Sequence, residues 1–200
     1  MDSRALPRRR LQGHSDIWGP TQVTTLGGCR YYVTFIDDFS RHTWIHPMRQ
    51  KSEVFGHFQQ FKAEAEKTTG RHVHCLRSYF SDEFTAYVRM EGIRREFSCR
   101  HTPQQNGVPE PKNRHIVEVA WAMMNEKNLP KWYWAEAANT AVYLMNKCPT
   151  SGVHDVTPHE KFFGKSRTYH MYVSLAQLLM YIFLKPHDRS STRNQKNVSS

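Results

Sequence analysis

Along the chain, the spacing of apolar and polar positions changes several times, and each change marks an element. From Tyr31 to Phe39 ("YYVTFIDDF") aromatic and β-branched residues dominate, which predicts a strand. The polar pair Ser40-Arg41 turns the chain into a second strand, His42 to Met48, so the two form a hairpin. The period then lengthens. Ser52 caps a helix with Glu53 in its first turn; Val54, Phe55, Phe58, Phe61 and Ala65 form one apolar stripe, and Gly70 closes it. Another strand runs from His72 to Ser78. Around Tyr87, Val88 and Met90 the pattern allows a helix of roughly two turns at most, and Glu96 to Arg100 predicts one more strand. Two amphipathic helices follow. Ile116, Val119, Ala120 and Met123 share a face in the first, and Trp134, Ala138, Val142 and Met145 in the second. Pro130 separates them and Pro149 stops the second. Strands first, then strands alternating with helices, predict an α/β chain with a mixed sheet.

Composition adds a charge to this outline. Two hundred residues suit one domain with a real core. Lysine and arginine number 28 against 18 acids, a net charge of +10. A solvated basic face accounts for that excess; so does a polyanion partner, because cationic surfaces attract phosphate chains through counterion release. Cys29, Cys75, Cys99 and Cys148 form no CxxC pair, which argues against a zinc module or a disulfide scaffold and fits a reducing intracellular setting, nucleus or cytoplasm. Residues 1–10, with Arg8-Arg9-Arg10, read as a flexible basic leader without the apolar core of a secretion signal. The longest apolar run, Val173 to Leu184, is about half the ~20 residues of a membrane span, so no membrane is expected. The expected organisation is a core over residues 11–165, an apolar segment over 166–184 and a polar, disordered tail over 185–200.

Candidate chemistry gathers at three places: Asp16 in "HSDIWGP", the acids of "LRSYFSDEF" (residues 76–84), and Glu110 in "TPQQNGVPEPKNR". Surface carboxylates mostly just solvate. Two-metal phosphoryl transfer, however, needs two or three of them converging from different elements on Mg²⁺, and such chemistry suits a basic protein. His72, His74 and Cys75 ("HVHC") look like metal ligands, yet no fourth ligand is near and a plain strand accounts for them. Asp37-Asp38 sits at a hairpin end, where a structural or solvated role is expected, and His14 reads as a satisfied strand histidine.

Five motifs in order, "HSDIWGP", "RYYVTFIDDFSRHTW", "TPQQNGVPEPKNR", "WAEAANTAVYLMNKCPT" and "TPHEKFFGK", resemble the integrase catalytic core of copia-type retrotransposon Pol polyproteins, over residues 11 to about 165. The resemblance implies a ribonuclease H-like fold, a five-stranded mixed sheet flanked by helices. It also implies an Asp, Asp, Glu triad binding Mg²⁺ or Mn²⁺, with duplex DNA as partner and a homo-oligomer as the working form. Asp16 matches the first aspartate and Glu110 the glutamate, which makes both catalytic and metal-binding by resemblance. Lys112 and Arg114 match positions expected near DNA; a solvated basic face accounts for them equally well.

The second aspartate is missing. Where the family reads Leu-Arg-Ser-Asp-Asn-Gly-Gly-Glu-Phe, this chain has "LRSYFSDEF", which puts Tyr79 at the catalytic position and leaves Asp82 as a stand-in. The stretch between Tyr79 and Glu110 is also shorter than the family's by about one helical turn. Pro109 and Pro111 flank Glu110. With Asn106 as cap, Pro111 would fall among hydrogen-bonded turns, so a later helix start is expected, with Glu110 on its lip. The family's preceding His/Cys zinc module is not in the sequence, which reads as a fragment of an element. Three functions follow: an integrase core that has lost strand transfer, an active polynucleotidyl transferase using Asp16, Asp82 and Glu110, or a non-catalytic module binding nucleic acid or protein.

Overall fold

The computed structural model describes residues 11–77, 82–96, 108–153 and 156–164, and of Asp82 and Glu83 the backbone alone. Five strands, β1 (Leu11–Trp18), β2 (Tyr31–Asp37), β3 (Thr43–Met48), β4 (Val73–Arg77) and β5 (Arg94–Glu96), lie in the order β3-β2-β1-β4-β5. The first three pair antiparallel, whereas β4 runs parallel to both β1 and β5. Helices α1 (Val54–Thr69), α2 (Asp82–Met90), α3 (Pro109–Glu126), α4 (Trp134–Lys147) and α5 (Pro158–Phe163) complete the described chain. The mixed five-stranded sheet expected from the resemblance is present. Among the described residues no helix is long and apolar enough to cross a membrane.

Strand alternation sorts the side chains into two layers. Val33 and Phe35 of β2 join Trp44, Phe58, Phe61, Leu76 and Phe84 in one cluster under α1 and α2. Tyr32 faces the other way, into a cluster built mainly from α3 and α4. On that side Asn146 of α4 binds Thr43 of the outermost strand twice. Its Oδ1 accepts the Thr43 N–H at 2.9 Å and its Nδ2 donates to the Thr43 carbonyl at 2.8 Å, which fixes α4 across the sheet.

Several local expectations change. Helix α1 is preceded by a 3₁₀ turn, Lys51–Glu53, whose cap is Gln50 and not Ser52, because the Glu53 carboxylate accepts the Gln50 N–H at 2.8 Å. Gly70 does close α1, in the left-handed region at φ 64°. Helix α2 begins at Asp82 and is a nine-residue helix, longer than the sequence pattern allowed. Strand β5 is Arg94–Glu96, beginning before the expected Glu96, and residues 97–100 of that expected strand lie outside the described residues; the Arg77–Glu96 ion pair at 2.5 Å holds it in register with β4. The leader, the segment beyond Gly164, the tail and Tyr79 lie outside the described residues.

Candidate active site

Asp16 sits near the C-terminal end of β1, the central strand, opposite Thr34 of β2. Three residues later, just past the strand, Gly19 stands at φ 115°, where a Cβ would lie 2.6 Å from the Arg30 carbonyl oxygen, so only glycine fits. Asp16 faces α3. Its Oδ1 accepts the Ile17 N–H at 2.9 Å, and its Oδ2 accepts Asn113 Nδ2 at 2.8 Å. Asn113 Oδ1 in turn accepts the Thr34 hydroxyl at 3.1 Å. The result is a polar chain, Asp16–Asn113–Thr34, with Asn113 and Thr34 fully enclosed. Burial raises the Asp16 carboxyl above the ordinary aspartate range; the bonds from Asn113 and Ile17 oppose that, and the nearby charge of Glu110 adds to it.

Glu110 comes from the first turn of α3, whose N-cap is Val108. The start is later than an Asn106 cap would give, and it places both Pro109 and Pro111 among the N–H groups that have no partner in any helix. Neither proline therefore removes a helical bond. The Glu110 side chain is exposed and pairs with Arg114 at 3.4 Å, one turn on. Lys112 does not join Arg114 on that side. Residues two apart on a helix point nearly opposite ways, and Lys112 turns inward, where burial lowers its ammonium to about 8.

Beside Asp16, on the same face of β1, His14 is buried and its Nε2 lies 3.2 Å from Asp38 Oδ1. Arg77 of β4 approaches the same nitrogen at 3.4 Å, and Arg41 holds Asp38 at 3.1 Å. Asp37 accepts both the N–H and the hydroxyl of Ser40, at 2.8 and 2.6 Å, and so builds the hairpin turn. The Asp37-Asp38 pair thus serves structure, as its position at a hairpin end led one to expect. His72 is exposed beside Glu66 and lies outside β4, while Cys75 is buried in it.

Sequence reading missed Asn113 and Thr34. The available signal was periodicity: Asn113 falls on the buried stripe with Ile116, Ala120 and Met123, so a polar residue stands where the helix is apolar. A two-ion site needs two or three carboxylates converging from different elements. The described residues bring Asp16 and Glu110 into electrostatic contact, and among them no group of three His, Cys, Asp or Glu residues could hold a metal ion. Those residues alone do not make a site for a pair of Mg²⁺ or Mn²⁺ ions.

Comparison with known proteins gives the setting. No protein-family model matches the chain. It is 42% identical over 161 residues, 78% of this chain, to the retrovirus-related Pol polyprotein from transposon TNT 1-94 of Nicotiana tabacum. The chain spans only 12% of that polyprotein's length. Among solved structures it superposes on the catalytic core domain of BIV integrase with a TM-score of 0.56 and 14% identity, covering 76% of this chain and 93% of that one. A simian T-cell lymphotropic virus intasome, solved in complex with a PP2A regulatory subunit, matches with a TM-score of 0.59 and 17% identity over 80% of this chain and 58% of that one. At such identities the structural likeness establishes the fold, a ribonuclease H-like integrase core.

Proposed function

This chain belongs with the integrase cores of copia-type retrotransposon Pol polyproteins, and from that premise we propose a core whose ancestral role is DNA integration, which keeps affinity for DNA and has lost strand transfer. The observation that carries the loss is the residue at the second aspartate position. Tyr79 offers a phenol, neutral at pH 7, where two cations would need a carboxylate. Asp16 and Glu110 then remain as a pair that holds a single divalent ion loosely at most. The exposed Arg114 beside Glu110 supports a phosphate contact there. The net charge of +10 supports sequence-independent binding to duplex DNA, and association with further copies of the chain belongs to the same reading.

The competing assignment makes Asp82, first residue of α2, the replacement ligand of an active transferase. One assay separates the two: joining of a labelled element-end oligonucleotide to plasmid DNA with Mg²⁺ or Mn²⁺, with Asp16→Asn as the blank. No joining is expected from the unmodified chain. Joining that vanishes in both Asp16→Asn and Asp82→Asn would overturn the proposal. Binding is checked separately, by the fall of duplex affinity with salt. An affinity flat between low and physiological salt would leave the non-catalytic protein-binding module as the better account.

A further inference from the structure

A groove of about 720 Å³ opens between the start of α3, the end of α4 and the β2–β3 turn, on the site's side of the sheet. Its size falls within the range of small-molecule sites. Val108, Val119, Ala141, Leu144 and Met145 make its walls apolar, and no acid is among the residues lining it. Lys112 also lines it. Its situation is unlike that of Lys62, another partly buried lysine. The Lys62 ammonium meets Glu66 at 2.9 Å and Glu91 at 3.2 Å, whereas the Lys112 ammonium meets no carboxylate among the described residues. Of the two other basic groups on the rim, Arg41 is held by Asp38 and His115 lies 3.9 Å from Glu118. One unpaired cation in an apolar groove matches one anion on an apolar body.

We propose that this groove is a binding site for a hydrophobic monocarboxylate, its carboxylate on the Lys112 ammonium and its hydrocarbon part along Val119, Leu144 and Met145. A polyanion such as DNA would fit less well, since it leaves the apolar walls wet and presents many charges to a single unpaired one. The site does not depend on whether the chain joins DNA.

The test is calorimetric titration of the full chain with decanoate below its micelle concentration, with decanol as the uncharged match. Decanoate should bind more tightly than decanol by roughly tenfold or more, the usual worth of a charged hydrogen bond in a partly buried setting. Lys112→Met should abolish that preference and Lys112→Arg should keep it. Arg41 and His115 also line the groove, and Lys112→Met retains both, so a preference for decanoate that persists in that variant would assign the effect to them and overturn the proposal. Equal binding of acid and alcohol by the wild type, which needs no variant to fold, would overturn it too.

Discussion

The two faces of the sheet are made from the same strands and solve different problems. Toward α1 and α2, Val33, Phe35, Trp44, Phe58 and Phe61 pack ring against ring, with Phe35 stacked 4.7 Å from Phe61. Toward α3 and α4, the alternate residues of β1 and β2 enclose His14, Asp16 and Thr34, and the helices add Asn113, Lys112 and Asn146. Apolar burial stabilises the first face without need of partners. Every buried polar group on the second must find one or lower stability. The difference teaches where selection for something other than folding has acted: polar groups are kept inside where the candidate site is, against their folding cost.

The largest effect should come from the aromatic face. Phe35→Ala removes a fully buried ring and should cost about 3–5 kcal/mol in urea unfolding. A loss under about 1 kcal/mol would mean that this face is loosely packed, and the contrast would dissolve.

Acid should come next. Burial holds the His42 imidazole down at about 3, with His159, Lys147 and Lys112 opposing its charge, and His42 Nδ1 has no hydrogen-bond partner among the described residues. The folded value lies below the ordinary 6.5, so the stability linked to His42 is complete above that pH and drains as pH falls from there toward 3. The slope should reach about 1.4 kcal/mol per pH unit. Melting temperature measured against pH should decline less steeply in His42→Phe; an unchanged slope would remove this residue from the account.

The smallest effect has the opposite sign. Asp16 has a raised folded value, so its contribution is present below the unfolded pKa and is lost as pH rises through the folded one. Asp16→Asn should therefore stabilise the protein at pH 7 by on the order of 1 kcal/mol, and the gain should disappear at pH 3. A destabilising Asp16→Asn would mean that the bonds from Asn113 and Ile17 outweigh burial, and Asp16 would be a structural residue like Asp37.

Much of this fold was legible because burial writes itself into spacing. The hairpin, α1 with its closing Gly70 and the buried stripes of α3 and α4 follow from apolar periodicity, since each is covered on one face. What was not legible depends on partners distant in sequence. Strand β5 is set by Arg77 reaching Glu96, and Asn113 matters through Asp16, far away along the chain. The helix start around Glu110 was legible for a local reason: Pro111 rules out an Asn106 cap, and the later cap at Val108 puts Glu110 in the first turn as expected.

The Asn146 amide has a consequence beyond fixing a helix. Strand β3 is an edge of the sheet, and edges offer unpaired N–H and C=O groups on which another chain can add a strand. Thr43 sits opposite Ile36, while the His42 carbonyl points inward and accepts the Asp37 N–H, which leaves the Thr43 backbone turned outward. There Asn146 takes both groups, as a neighbouring strand would. Two places further along the same outward row, Pro47 has no N–H to give. One side chain and one ring thus blunt the edge at both ends, and the sheet stops growing at β3.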